Sequence, residues 1–321
     1  MAAAPDLLGR RLLFFTGKGG VGKSTVTAAT ALLAAQRGQR VLLIEVDAKD
    51  NLTRLFERPP VGFDPVEVVP GVFAMQMRTE ASLREYLRLH LRVPVIGRLG
   101  PLAGALDFVA TAAPGVKEIL TVGKACWEAR ESIEGRADWD LIVVDAAATG
   151  HVVAQLDAPR AIRELVQVGP IREQTGWMVE ILSDPAVTAL NVVTSPEEMP
   201  VNETIELVGR VREELTVPLG VVVVNRVLPE LFTRDDELVF DALRAPEPCA
   251  VLERTIGSGA GAVLDAARLA VSLRRTRTAH LAELREAVDL PLLYLPYLFV
   301  RDHGLRVTHM VADRLGEELG L

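Results

Sequence analysis

The sequence predicts an α/β protein built on a doubly wound, mostly parallel sheet with an inserted helical subdomain. Three observations lead there. Six short apolar runs are continuous rather than alternating, the pattern of strands buried on both faces between layers of helices. Helical stretches separate most of these runs, which is the βα alternation of a wound sheet. One gap between runs, about 95 residues long, far exceeds what a crossover needs, so it holds an insertion.

The first run, "LLFFT" (12–16), leads into "GKGGVGKST" (17–25), and a helix is expected over 23–37. The segment contains G-x-x-x-x-G-K-[ST], which has meaning when a strand precedes it and a helix follows. Gly17 makes the turn out of the strand. Gly19, Gly20 and Gly22 let backbone N–H groups converge on phosphate oxygens, and the helix N-terminus adds partial positive charge. Val21 and Thr25 complete the loop. Lys23 is expected to reach the β- and γ-phosphates of ATP, and Ser24 to bring its hydroxyl to Mg²⁺. A second cation, Lys18, follows Gly17 directly. Only five of the 35 Lys and Arg residues are lysine, and two of those five stand in this loop.

The second run, "VLLIEV" (41–46), leads into Asp47, on a strand expected beside the first. A carboxylate there can orient an attacking water. Carboxylates are weak bases at neutral pH, so orientation rather than proton abstraction is the role assigned, with a water-mediated place near Mg²⁺. The insertion occupies about 79–136, helical at 79–91 and 116–135. Its middle, 95–115, is apolar and interrupted by glycine and proline; it reads either as core packing or as a surface for a client. A second helical part is expected over about 159–186. Both parts belong to one ATPase domain spanning 1–321.

The third run, "LIVVD" (141–145), ends on Asp145, where P-loop proteins keep the carboxylate that holds the Mg²⁺ shell through water. The fourth, "LNVVT" (190–194), is followed by Ser195, Pro196 and Glu197 and then a helix over 200–214. The fifth, "VVVVN" (221–225), ends on Asn225. "GSGAG" (257–261) reads as a flexible loop with Ser258 as N-cap of a long helix, 260–287. The basic cluster "LRRTR" (273–277) reads as a solvated helix face. The last run, "PLLYL" (291–295), is followed by Pro296 and Tyr297 and a helix over 304–319. In an open parallel sheet the ligand sits outside the carboxyl ends of the strands, so these distant residues are candidates for one site.

Bulk composition narrows the function. A net charge of −8 argues against a nucleic-acid surface. Two isolated cysteines, Cys126 and Cys249, argue against a disulfide framework or a cysteine zinc site within one chain. No run reaches the length of a membrane span, and the N-terminal apolar run passes straight into the loop rather than to a cleavage site. A cytoplasmic protein without a direct membrane span is expected.

The residues also resemble a family. "GKGGVGKST" resembles the deviant Walker A loop of the signature-lysine ATPases, and within them the branch of arsenite-pump ATPases and tail-anchored-protein targeting factors. "DAKDNLTRLF" (47–56) is similar to that branch's switch I, and "DAAATGHVVAQLDAP" (145–159) to its switch II. "APGVKEIL" (113–120), "SPEEMPVNET" (195–204), "VVNRVLP" (223–229) and "LPYLFVRDHG" (295–304) resemble further segments in the same order. The resemblance implies an ATPase acting as a dimeric switch, with Lys18 reaching the nucleotide of the opposite subunit. It implies that Asp47 is the catalytic carboxylate and that Glu197 faces the nucleotide across the dimer. It further implies that Asn225, Pro296 and Tyr297 surround adenine.

With one P-loop, the chain is expected to pair with an identical chain or a paralogue, and to serve a membrane-protein client or a transporter. A positioning ATPase of the Min/Par kind is the alternative. It lacks support in the acidic C-terminal helix, which has no basic membrane-binding face. Departures from the family pattern fall at Ala48, Lys49 and Asp50 in switch I and at Ala146 and Ala148 in switch II.

Overall fold

Strands β1 (Leu12–Gly17), β2 (Val41–Glu45) and β5 (Leu141–Asp145) form the middle of an eight-stranded sheet ordered β3-β4-β2-β5-β1-β6-β7-β8. The structure is a computed structural model describing residues 6–47, 50–91, 115–135, 139–166, 168–300 and 304–321. Strands β4 (Val72–Gln76), β6 (Thr188–Thr194), β7 (Leu219–Val227) and β8 (Leu292–Pro296) run parallel to these three. Among the described residues only β3 (Val66–Val69) is antiparallel, paired to β4. The parallel strands therefore deliver their carboxyl ends to one edge.

The continuous apolar runs are explained by two cores, one on each face. Leu13, Phe15 and Leu43 point to the first, covered by α1 (Lys23–Gln36) and α11 (Leu305–Leu319). Leu12, Phe14, Leu42 and Ile44 point to the second. That face is covered by α4 (Val116–Ile133), α5 (Thr149–Leu165), α6 (Pro170–Ser183) and α7 (Glu198–Glu214). Alternate residues of one strand face opposite cores, so both sets must be apolar.

Four features differ from the sequence reading. First, β2 does not neighbour β1: β5 pairs with both and lies between them. The chain leaves β2 through the short helix α2 (Asn51–Leu55) for the β3–β4 hairpin, lays β4 outside β2, and returns after α3 (Thr79–Leu91) and α4 to fill the inner place. Second, the helix expected from 159 starts ten residues earlier, at Thr149, and contains Pro159; it ends before Gly169, and Pro170 opens a separate helix. Proline at a first helical turn loses no hydrogen bond, whereas Pro159 removes one from the interior of α5.

Third, the N-cap of α10 (Ala260–Ala287) is Gly259, not Ser258. Fourth, the arginine cluster lies on a solvent-exposed helix face, as read, but also pairs with other elements, as described below. Two helices preceding α10, α8 (Arg234–Leu243) and α9 (Pro246–Ile256), bury no residue. Most of the apolar segment 95–115 lies outside the described residues.

Candidate functional site

The loop from β1 to α1 is shaped by glycine. A Cβ on Gly17 would stand 2.2 Å from the Val193 carbonyl oxygen, so β1 and β6 approach too closely there for any side chain. Gly20 and Gly22 have φ of 92° and 91°, the left-handed region that glycine enters without cost. Gly22 caps α1, and Val26 N–H donates to its carbonyl at 3.0 Å. Gly19 and Gly20 are exposed at the sheet edge, Val21 is buried in the first core, and Thr25 sits in the first turn of α1.

The two lysines of the loop diverge. Lys23 Nζ donates to Asp145 Oδ1 and to the Ala146 carbonyl, each at 2.6 Å. Ser24 Oγ donates to the other carboxylate oxygen, Oδ2, at 2.7 Å. Asp145 is buried at the end of β5, beside β1, so adjacent strands bring the three groups together. Thr16 Oγ1 donates to the Ala147 carbonyl at 2.8 Å and ties the end of β1 to the segment after β5. Lys18 instead turns to Glu203 on α7, with which it forms an ion pair. The second oxygen of Glu203 accepts from Thr149 Oγ1 at 3.1 Å, at the start of α5. No role was expected for Glu203, although it is the penultimate residue of the quoted segment "SPEEMPVNET".

The end of β2 holds a second polar cluster that the sequence reading missed. Glu45 is buried opposite Asp145 in the β2–β5 register. It accepts from Asn51 N–H at 2.8 Å and from Gln76 Nε2 at 3.3 Å, and the same amide nitrogen reaches Asp50 Oδ1 at 2.9 Å. Burial pushes the Glu45 carboxyl above its ordinary value; its two hydrogen bonds oppose the shift, and the charges of Asp145 and Asp50 add to it. The available signal was one acid inside an otherwise apolar strand, "VLLIE". Asp47 lies just beyond this strand, separated from β1 by β5.

Asn225 is not turned outward. Its Nδ2 donates to the Val21 carbonyl at 2.9 Å, and its Oδ1 accepts from Arg226 N–H at 2.9 Å. Arg226 has φ of 62°, within a break of the β7–β8 register. Pro296 ends the edge strand β8. Tyr297 N–H donates to the Val227 carbonyl at 2.8 Å, and its ring packs at 4.9 Å from Phe299. Glu197 caps α7 and faces Arg277 of α10 at 3.2 Å. Thus Lys23, Ser24 and Asp145 form one cluster, Val21, Gly22 and Asn225 a second contact, and Lys18 stands apart from both.

This arrangement can be set beside known proteins. The model of the anion-transporting ATPase family matches residues 10–179 and 170–244. The chain belongs to that family. ATPase BagA of Mycobacterium tuberculosis is 33% identical over 308 residues, covering 90% of this chain and 88% of BagA. The arsenical pump-driving ATPase of Acidiphilium multivorum is 32% identical over 250 residues, 70% of this chain but only 41% of that longer protein. An ASNA1 homolog ATPase of Entamoeba histolytica is 26% identical over 258 residues, 68% of this chain and 76% of its own length.

As an anion-transporting ATPase family member, the protein hydrolyses ATP. Among its described residues no single helix is long and apolar enough to cross a membrane, and no group of three His, Cys, Asp or Glu side chains could hold a metal.

Proposed function

We propose that the protein is a Mg²⁺-dependent, ATP-driven dimeric switch serving membrane-protein targeting or membrane transport. The observation that carries this reading is the divergence of the two loop lysines. Lys23 and Ser24 converge on Asp145 within the chain's own site, while Lys18 is held 185 residues along the sequence by Glu203. A lysine that neutralised phosphate in its own loop would point where Lys23 points.

The residues fit a magnesium nucleotide. Glycines at positive φ leave the backbone N–H groups of the loop free of side-chain cover. Ser24 and Asp145 offer hard oxygen donors 2.7 Å apart, the kind Mg²⁺ takes. When bound, the ion would neutralise charge on the phosphate oxygens. Lys23 would exchange its bonds to Asp145 and Ala146 for phosphate. Asp145 would then be left to hold the metal's water shell. Asp47 would orient the attacking water, and Glu197 would face the nucleotide of the opposite subunit. Asn225, Pro296 and Tyr297 would border the base, with Asn225 swinging from the Val21 carbonyl to do so. Lys18 would leave Glu203 and cross the dimer interface, leaving Glu203 bonded to Thr149 within switch II. A switch of this kind acts on a membrane-facing partner from the cytoplasm.

The test mixes Lys18→Ala with Lys23→Ala chains, each inactive alone. In the mixed dimer the Lys18→Ala chain keeps its own Lys23 and receives Lys18 from its partner, so one complete site is rebuilt. Single-turnover hydrolysis returning on mixing supports action in trans. Silence after labelled chains have been seen to exchange removes it.

A further inference from the structure

The site described so far leaves Arg277 unexplained, together with the helices that lead to it. Helices α8, α9 and α10 form an arm at the β7–β8 side of the sheet. Leu281 and Leu284, near the C-terminal end of α10, are buried in the second core and anchor it. Ala260, Leu264 and Ala267, near its start, are buried as well, and α9 packs on α10. Between the two anchored ends, three arginines reach three other elements. Arg274 pairs with Glu230 in the loop after β7 at 3.1 Å, Arg275 with Glu237 of α8, and Arg277 with Glu197 at 3.2 Å. Arg277 is the least exposed of the three, at 21%.

What distinguishes Arg277 is the helix it touches. Glu197 is the N-cap of α7, and six residues on, the same helix carries Glu203, which holds Lys18 of the loop and Thr149 of α5. Pro200, Val201 and Thr204 of this stretch are buried, so the first turns of α7 are packed as one body. One helix start therefore joins the arm to the phosphate loop through two ion pairs. The arm also carries the apolar surface a partner would engage: Leu238, Val239, Ile256, Val263 and Leu269 are all exposed. Beside it, a cavity of about 240 Å³ lies between Leu228, Phe232, Ala270, Leu273 and Phe299.

We infer that Arg277 is a positioning residue that couples the α8–α10 arm to the nucleotide site by holding Glu197 at the start of α7. This rests on the reading that Glu197 belongs to that site. A partly exposed ion pair biases an equilibrium rather than locking it, so the effect is about two- to fivefold.

The experiment uses the full chain, with Arg277→Ala, Arg277→Lys, Glu197→Gln and the double variant Arg277→Ala/Glu197→Gln. Arg244→Ala serves as control, because it breaks a pair, between Arg244 and Asp265, that lies inside the arm. Two quantities are read: KM and kcat for ATP, and amide hydrogen exchange across 233–280 with and without magnesium and a non-hydrolysable ATP analogue. Thermal midpoints confirm that each variant is folded.

The expected result is that the analogue slows exchange across the arm in the wild type and in Arg277→Lys but not in Arg277→Ala. KM should rise about two- to fivefold in Arg277→Ala and in Glu197→Gln, no further in the double variant, and not at all in Arg244→Ala. If the arm of the wild type ignores the analogue, or Arg277→Ala still responds, the coupling is overturned. If Glu197→Gln loses the exchange response as Arg277→Ala does but leaves KM and kcat unchanged, the coupling through this pair stands and Glu197 alone is removed from the nucleotide site; if Glu197→Gln keeps the response, the coupling through Glu197 is overturned.

Discussion

The side-chain nitrogen of Asn225 lies 2.9 Å from the carbonyl oxygen of Val21, and a Cβ on Gly22 would come within 2.3 Å of that same nitrogen. The end of β7 and the phosphate loop are built against each other. Gly22→Ala should therefore fail twice, by contact with Asn225 and by a φ of 91° that alanine resists. A destabilisation of about 1 kcal/mol or more is expected, with a marked loss of ATP affinity. Calorimetry and nucleotide titration check both. Adding Asn225→Ala should relieve the contact but not the backbone strain, so stability should return only in part.

Lys23→Ala should abolish ATP binding. It also leaves the buried carboxylate of Asp145 without its cation, so the variant should lose about 1–3 kcal/mol of stability. Asp145→Asn in the same chain should recover stability without recovering binding. Wild-type ATP affinity in Lys23→Ala would remove the lysine from the phosphate site.

Asp47→Asn should bind ATP and lose most turnover. Each tenfold in rate corresponds to about 1.4 kcal/mol of barrier, so loss of one water-orienting group should cost several kcal/mol. Single-turnover rates measure it. A variant within about threefold of wild type would move that role elsewhere.

Glu45 should make stability depend on pH. Its carboxyl is raised in the native state by burial, so the folded protein holds this proton more tightly than the unfolded chain does. The stabilising contribution is complete below the ordinary carboxylate range and is lost as pH rises through the raised native value. Glu45→Gln has no such proton to lose. Relative to wild type it should gain stability between about pH 4 and pH 7. Urea midpoints of the two proteins across that range decide it, and parallel profiles would discard the assignment.

Thiol labelling should separate the two cysteines. Burial pushes the Cys126 thiol well above its usual range, which keeps it protonated and inert, whereas Cys249 is partly exposed. At neutral pH the native protein should react once with a thiol reagent, and twice in denaturant.

Much of the fold was legible because its strands are buried on both faces. "LLFFT", "LIVVD" and "VVVVN" can be satisfied by little else than the middle of a covered parallel sheet, and the long helices α1, α7, α10 and α11 begin and end within a few residues of their expected bounds. The β3–β4 hairpin was not read, because β3 is half exposed at the sheet edge and its alternation is too short to mark a strand. Helices α8 and α9 were missed for a related reason: with no residue buried, neither carries a core-facing stripe dictated by packing.

By itself the sequence determined the parts of the site that are local: the glycines, Lys23 and Ser24 lie within eight residues, and the strand-turn-helix that carries them is a short-range unit. Tertiary structure alone decided which acid each cation meets. Nothing along the chain tells that Lys18 faces Glu203, that Arg277 faces Glu197, or that β5 rather than β2 lies beside β1. These are choices among side chains of the same charge, and charge carries no address. Only the packing of α7 and α10 on the sheet, and the return of the chain into the place between β1 and β2, bring one acid rather than another within reach of each cation.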